Sequence, residues 1–237
     1  MPLRVKQSIA PQPRFYVVDR LKRSYGSTMI EGTLVDLVPF EDDFAIHLET
    51  WMNEEAWFRA HLWERREPHT EHDVKKYIER MEKDEHGALI GFQAKNGDPI
   101  GAVIFDHEWP RVRKAEARFF AGDSRYEGGD EVLDALLMLV RYCFETRNLH
   151  RLDASALTFD EVRIDLLRRA GFVHEGTLRQ HIRYDGDYVD VEVFGILADE
   201  WPGYEQKVAG LDLKPSGIEP KPKPEKKDDK DAGAAKS

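Results

Sequence analysis

The residues whose types and spacing most clearly suggest ligand binding form a glycine turn, 125–130 (RYEGGD), between an aromatic segment and an apolar segment. The first N–H groups of a helix have no partners inside the helix, and the helix dipole places its positive end there. Glycine residues allow an anion to approach this backbone closely. The turn therefore predicts an anion site, although many strand–turn–helix units bind nothing.

The elements around this turn follow from hydrophobic spacing. Residues 115–121 are aromatic, end at Gly122 and predict a strand, and apolar residues at helical spacing predict a helix from Glu131. The other predicted strands are 33–39, 88–94, 100–105, 151–156, 173–183 and 188–197, and the other predicted helices are 41–53, 71–85 and 160–170.

Composition limits the classes of function. The chain has 237 residues and a net charge of −10, so no basic field favours nucleic acid, and no apolar run is long enough for a membrane span. The single cysteine, Cys143, lies among apolar residues and is interpreted as a small buried hydrophobe. We expect a cytoplasmic protein without a metal site. A loose or partly extended N-terminal region (1–30), one folded domain (31–205) and a disordered charged tail (212–237) are predicted.

The order of the predicted elements, together with the run RNLHRLDAS and the later run LLRRAGFVHEGTLRQHIRYDGDYVDVEVFGILADEW, resembles the GNAT acyltransferase superfamily in its RimJ/RimL-like branch. The resemblance extends over residues 32–201. It implies a single α/β domain with a mixed, twisted sheet that is flanked by helices and splayed at a cofactor cleft between the 115 and 151 strands. It also implies that acetyl-CoA is the donor and that the acceptor is a protein N-terminus or an amine-bearing small molecule.

The same resemblance implies roles for individual residues. Glu116 corresponds to a carboxylate that deprotonates the amine through water, although a solvent-facing strand carboxylate is an equal alternative. The implied cofactor contacts are the main chain of Phe119, Phe120 and Ala121 for pantetheine, and Arg125 with the amides of Glu127, Gly128 and Gly129 for pyrophosphate.

Two departures from the family pattern bear on cofactor binding. Asp130 takes the place of the last small residue of the loop, where we expect it to cap the helix. A carboxylate about 5 Å from a phosphate costs roughly 3 kcal/mol at an effective dielectric near 20, whereas the helix dipole contributes only about 0.3–1 kcal/mol. Weak CoA binding is therefore predicted unless a cation compensates.

The second departure is on the next helix. Asp160, Arg163 and Leu167 replace the family's Asn and the hydroxyl residues that protonate the leaving thiolate. Asp160 remains beside the implied cofactor but is expected to cap its helix. Tyr184 and Tyr188 of the last hairpin are the remaining candidates for the acid.

Three hypotheses remain open from the sequence. The first is an acetyl-CoA-dependent N-acetyltransferase that acts by direct transfer. The second is a GNAT-fold binding or scaffold protein that has lost catalysis, and the third is an acyltransferase with another donor. A homodimer formed through the last hairpin is also left open.

Overall fold

The computed structural model describes residues 29–40, 42–62 and 67–219. The strands are β1 (Ile30–Glu31), β2 (Val35–Pro39), β3 (Ala88–Ala94), β4 (Pro99–Trp109), β5 (Lys114–Ala121), β6 (Arg151–Leu157), β7 (Val173–Tyr184) and β8 (Asp187–Leu197). The α-helices are α1 (Asp42–Met52), α2 (Glu55–Ala60), α3 (Glu71–Lys83), α4 (Asp130–Arg141), α5 (Glu161–Ala170) and α6 (Tyr204–Leu211). A 3₁₀ turn, Ser124–Tyr126, precedes α4, and a π-helical turn, Tyr142–Thr146, follows it.

The described strands form one open, mixed sheet in the order β1-β2-β3-β4-β5-β6-β8-β7. Strands β5 and β6 are parallel and pair at only three positions, from Lys114↔Arg151 to Glu116↔Asp153. Both strands continue beyond these pairs, to Ala121 and Leu157, but they do not pair with each other there. The sheet is therefore splayed between these two strands, as the family resemblance implies.

The alternation of side chains along β5 distributes them between two cores. Ala115, Ala117 and Phe119 pack in the cluster that contains the apolar side of α4. Phe120 packs on the opposite face, in a cluster with Trp57 of α2 and other residues of α1 and α3. Because successive strand residues point to opposite faces, Glu116 and Arg118 share the face of Phe120.

The folded domain extends beyond its predicted end at residue 205. Helix α6 is anchored by Tyr204, whose hydroxyl donates to the Asp134 carboxylate on α4 (2.6 Å) and accepts from the Thr33 amide (2.7 Å). Burial raises the pKa of Asp134, although this carboxylate also accepts hydrogen bonds from the Leu34 and Val35 amides. The network joins the start of β2, α4 and α6.

The predicted tail also begins too early. Residues 213–219 are irregular, but Leu213 and Ile218 pack against the main core, and the amides of Lys214 and Ser216 donate to carboxylates on α4. Apolar anchors and hydrogen bonds of this kind offset the ordering entropy that the composition alone left uncompensated. Residues 220–237 lie outside the described residues.

At the other end, residues 1–28 of the predicted N-terminal extension also lie outside the described part of the chain. The ordered structure includes Met29, which is buried, and Ile30, which pairs with Leu37. Among the described residues, none of the helices combines the length and the apolar character that crossing a membrane requires.

Candidate active site

A cleft opens where β5 and β6 diverge, between the starts of α4 and α5. It encloses about 340 Å³ of space, open solvent included. Six of the residues implied by the family resemblance lie on its wall: Phe119, Phe120, Ala121, Glu127, Gly128 and Asp160. The structure thus brings the end of β5, the glycine turn and the start of α5 together around one cavity.

The glycine turn presents free backbone donors, but only one of the three amides that the resemblance implied, that of Gly128, is free. The amides of Glu127 and Gly129 donate within the turn, to the carbonyls of Ser124 (3.1 Å) and Tyr126 (2.9 Å). Gly128 has φ +73°, a conformation that favours glycine. Among the described residues, the amides of Gly128, Asp130 and Glu131 have no acceptor. The free donors are therefore displaced toward the first turn of α4.

Asp130 is not the helix cap that the sequence predicted. Gly129 occupies the N-cap position, without a side-chain cap, and Asp130 is the first helical residue. Its carboxylate pairs with Arg169 of α5 and accepts a hydrogen bond from the Lys214 amide (2.9 Å). Burial alone raises the pKa of Asp130, but these two partners outweigh burial and lower it. Arg169 thus supplies the compensating cation without which Asp130 was predicted to weaken CoA binding.

Arg125 points away from the cleft wall. Its guanidinium contacts the Asp123 carboxylate through Nε (3.0 Å) and Nη2 (2.7 Å), and Nη1 donates to the Glu219 carbonyl (3.0 Å). The hydrogen bond to Asp123 raises the pKa of Arg125. The predicted phosphate-binding arginine is therefore engaged by the protein itself.

Arg59 of α2 is a site residue that sequence reasoning missed. It lines the cleft, forms an ion pair with Glu127, and lies 3.5 Å from the Asp160 carboxylate. The available signal was a single basic residue inside the aromatic segment WFRAH. Arg59 balances two acidic side chains on the wall of the cleft.

Arg163 is buried and connects the two diverging strands. Its Nη1 donates to the Phe119 carbonyl on β5 (2.8 Å) and its Nε donates to the Ser155 carbonyl on β6 (2.9 Å). The guanidinium also stacks 4.2 Å from the centre of the Phe119 ring. Burial lowers the pKa of Arg163 to about 10, so the group remains positively charged at neutral pH. The Phe119 carbonyl, predicted as a cofactor contact, is therefore already bonded.

Asp160 caps α5 as predicted, because its carboxylate accepts from the Arg163 amide (3.1 Å). Leu167 is fully buried in the core and has no polar role. Cys143 is also buried, and its burial raises the pKa of the thiol far above neutral. The observations for Asp160 and Cys143 agree with the structural roles expected from the sequence.

Glu116 lies at the base of the splay, three residues before Phe119 on β5. Its carboxylate is 3.5 Å from the Ser155 hydroxyl and 3.6 Å from Nδ1 of His107. Asp106 is the neighbouring acid, and it pairs with His107 (3.0 Å) and with Arg118. The side chain of Glu116 is 23% exposed, so water can reach it.

Oxygen and nitrogen atoms of Asp106, His107 and Glu116 lie within 4.8 Å of one another, a spacing that a metal ion could span. Arg118 already pairs with Asp106, and a cation at this position would be placed beside its guanidinium. We therefore assign no metal to this cluster.

The two tyrosines that were considered as the acid lie outside the cleft wall. The Tyr184 hydroxyl is hydrogen-bonded to the Glu55 carboxylate, and its ring packs edge-on against Phe159. Tyr188 is 69% exposed on the last hairpin. Neither tyrosine lines the cleft, although Tyr184 packs against the cluster that contains Leu157 at the end of β6.

Comparison with known proteins identifies the family. Residues 35–173, more than half of the chain, match the model described as an acetyltransferase (GNAT) domain. The chain belongs to the GNAT acetyltransferase family. The resemblance stated from the sequence is confirmed, and acetyl transfer is the activity of this family.

Two curated relatives agree with this assignment. The probable N-acetyltransferase YjcK of Bacillus subtilis is 30% identical over 127 residues, which are 52% of this chain and 68% of that protein. The [ribosomal protein uS5]-alanine N-acetyltransferase of Escherichia coli is 29% identical over 80 residues, which are 33% of this chain and 41% of that enzyme.

Solved structures share the GNAT fold at lower identity. Spermidine N-acetyltransferase from Vibrio cholerae, in complex with CoA and spermine, has a TM-score of 0.65 at 18% identity, with 70% of this chain and 97% of that chain covered. Mycobacterium smegmatis RimJ, in complex with CoA-disulfide, has a TM-score of 0.63 at 20% identity, with coverages of 75% and 89%. These two comparisons confirm the predicted α/β fold.

Proposed function

We propose that this protein is an N-acetyltransferase that uses acetyl-CoA and transfers the acetyl group directly to a primary amine. The acceptor is a protein N-terminus or an amine-bearing small molecule. The observation that carries the proposal is the set of free amides at the start of α4, beside a cleft that leads between the diverging strands toward Glu116.

The free amides of Gly128, Asp130 and Glu131 are suited to the pyrophosphate of the donor. They lie at the positive end of a 12-residue helix, where backbone donors and the helix dipole both favour an anion. Arg59 and Arg169 offset the nearby carboxylates through their ion pairs. Gly128 carries no Cβ and has φ +73°, so its backbone can approach an anion closely.

Acetyl-CoA supplies a thioester, whose acetyl carbon forms a C–N bond with the amine while the C–S bond breaks. Glu116 accepts the proton of the attacking amine, directly or through water, since only a neutral amine is nucleophilic. Main-chain groups of Phe120 and Ala121, at the cleft wall, position the donor arm.

Arg163 takes the place of the missing acid in this proposal. Its charge is fixed by two carbonyls at the floor of the cleft, where a leaving thiolate would develop negative charge. A preorganised positive charge stabilises such an anion without transferring a proton, and the thiolate can then be protonated by water. Neither Tyr184 nor Tyr188 is required.

The acceptor class is supported by an acidic residue on the same side of the sheet. Asp106 is already paired with Arg118, so Glu116, which is 23% exposed, is the carboxylate that attracts a protonated amine before it loses its proton. Among the relatives, one acts on a ribosomal-protein alanine and another on spermidine, so both acceptor types are suitable substrates for testing. A cytoplasmic location and a homodimer through the β7–β8 hairpin remain parts of the proposal.

Calorimetry with acetyl-CoA, followed by an assay of free-thiol release with alanyl peptides and polyamines, tests this function. We expect saturable acetyl-CoA binding and thiol release that depends on an added amine. Binding without transfer to any amine would favour the binding-protein hypothesis. Absence of binding would overturn the acetyl-CoA proposal and favour another donor. The Phe119 carbonyl, which is already bonded to Arg163, would then account for the lost acetyl-CoA contact.

A further inference from the structure

The C-terminal segment 213–219 contacts three charged side chains, one in the glycine turn and two in the first turn of α4. The Lys214 amide donates to Asp130 (2.9 Å), and the Ser216 amide donates to Glu131 (2.7 Å). Arg125 donates to the Glu219 carbonyl (3.0 Å). The three side chains belong to the glycine turn and the first turn of α4, but in each contact the C-terminal segment supplies only backbone atoms.

Apolar contacts hold this segment against the domain. Leu213 and Ile218, near its two ends, pack against the main core. The segment directly follows α6, which Tyr204 anchors to Asp134 on α4. The backbone of residues 214–216 is therefore kept beside α4 from both directions.

The segment lies outside the cleft. None of residues 213–219 lines the cleft, and neither does Asp130 or Glu131. On the loop side, the wall of the cleft is formed by Glu127 and Gly128. The segment therefore does not block the cavity. Instead, it engages two carboxylates that start α4, neither of which lines the cavity.

These carboxylates would otherwise compete for the loop amides. Acidic side chains at a helix start readily accept hydrogen bonds from free first-turn N–H groups. Glu131 is only 5% exposed, and its second oxygen, Oε2, is buried without a hydrogen-bond partner among the described residues. Without the Ser216 amide, both oxygens of this buried carboxylate would lack a donor. This costs free energy, so the side chain would be expected to accept hydrogen bonds from the amides of its own helix instead.

We propose that residues 213–219 form a positioning strap that keeps the amides of Gly128, Asp130 and Glu131 available to an anionic ligand. The identity of that ligand as the pyrophosphate of acetyl-CoA rests on the proposed function. The positioning of the loop by the strap does not, because the contacts are present without any ligand.

Two truncations test the strap. Removal of residues 213–237 deletes it, and removal of residues 220–237 is the matched control that retains it. Hydrogen exchange of residues 122–134, measured without ligand, should become faster in the first variant and remain unchanged in the second. Acetyl-CoA binding should weaken about tenfold in the first variant only, because a capping carboxylate then competes for the same donors.

Point variants cover the case in which the first truncation does not fold. Ser216→Pro removes the amide that binds Glu131, whereas Ser216→Ala retains it. We expect faster loop exchange and weaker binding with proline but not with alanine. Ile218→Asp, which removes an apolar anchor, should resemble the proline variant.

The outcomes separate this inference from the proposed function. Unchanged loop exchange in both Ser216→Pro and Ile218→Asp would overturn the strap. Equal loss of affinity in the two truncations would also overturn it, because the effect would then come from residues beyond 219. Faster loop exchange in a full-length chain variant, while the unmodified protein binds no acetyl-CoA, would support the strap and overturn the proposed donor.

Discussion

Arg163 shows how one side chain can compensate for a break in a sheet. Where β5 and β6 diverge, the Phe119 and Ser155 carbonyls lose the neighbours that a continuous sheet would provide. The guanidinium donates to both, because its fork of N–H groups can reach two acceptors at once. The residue that closes the polar gap is thereby also fixed at the floor of the cleft.

Replacement of Arg163 should reduce the chemical step. We expect Arg163→Met to lower kcat by about 10²–10³-fold, the effect of losing one preorganised stabiliser of the developing charge. Arg163→Lys retains the charge without the planar fork, so its kcat should lie between those of the unmodified protein and Arg163→Met. The comparison variant is Arg168→Met, at an exposed position on the same helix. A kcat for Arg163→Met equal to that of Arg168→Met would exclude the electrostatic role.

Replacement of Glu116 tests the base. Glu116→Gln preserves size and polarity but cannot accept the proton, so we expect turnover to fall by about 10²–10⁴-fold at neutral pH. Acetyl-CoA affinity should be unchanged, because Glu116 lies outside the cleft wall. Glu161→Gln, at an exposed position of α5, is the control. Normal turnover of Glu116→Gln would make Glu116 an ordinary strand carboxylate.

At the scale of elements, local pattern predicted most of the sheet. The segment 88–94 was predicted with the bounds that the structure has, and the helix predicted to end at residue 170 does end there, with Gly171 as its cap at φ +105°. Short elements were missed for a physical reason. Helix α2 has only six residues, too few for a helical period to stand out from its aromatic composition. Helix α6 is held by Tyr204 through contacts with distant residues.

The contact of α6 with α4 should therefore be measurable as stability. Tyr204→Phe removes the hydroxyl that donates to the buried Asp134 carboxylate. We expect the free energy of unfolding to fall by about 1–3 kcal/mol, the usual cost of leaving a buried acceptor without its donor. Tyr188→Phe removes an exposed hydroxyl and should have little effect in the same urea titration. Equal stability of the two variants would show that the network is not stabilising.

At the scale of the whole molecule, the site was harder to predict than the fold. The resemblance located the cleft residues Phe119–Ala121 and Gly128, because strand and turn patterns are local. The pairing of Asp130 with Arg169 and Lys214 joins residues 39 and 84 positions apart, so no local pattern reveals it. The same holds for Arg59, which reaches Glu127 from another helix.

The stability of the whole domain should depend on pH through His61. This imidazole is buried against Trp57, with ring centres 3.7 Å apart, and Nδ1 lies 3.0 Å from the Trp57 carbonyl. Burial, with nearby arginines, lowers its pKa well below 6.5. The folded protein therefore keeps His61 neutral, whereas the unfolded chain takes up a proton as the pH falls below 6.5. Stability contributed by His61 is present above this pH and is lost below it.

We expect the free energy of unfolding to decrease by up to about 1.4 kcal/mol per pH unit between pH 6.5 and 5.5 on account of this group. His61→Gln should flatten the dependence in this interval, even if it lowers stability at every pH. His72→Gln, at an exposed position, should retain the slope of the unmodified protein. A slope that His61→Gln leaves unchanged would assign the dependence to other groups.

The strand order has a consequence for how the chain is made. Strand β8, the last strand along the described chain, lies between β6 and β7 in the sheet. During synthesis on the ribosome, β6 and β7 emerge first, and each lacks its neighbour until residues 187–197 follow. A nascent chain that stalls before this point leaves the N–H and C=O groups along one edge of β6 unpaired, and unpaired edges of this kind favour aggregation. Completion of the sheet must therefore wait for β8.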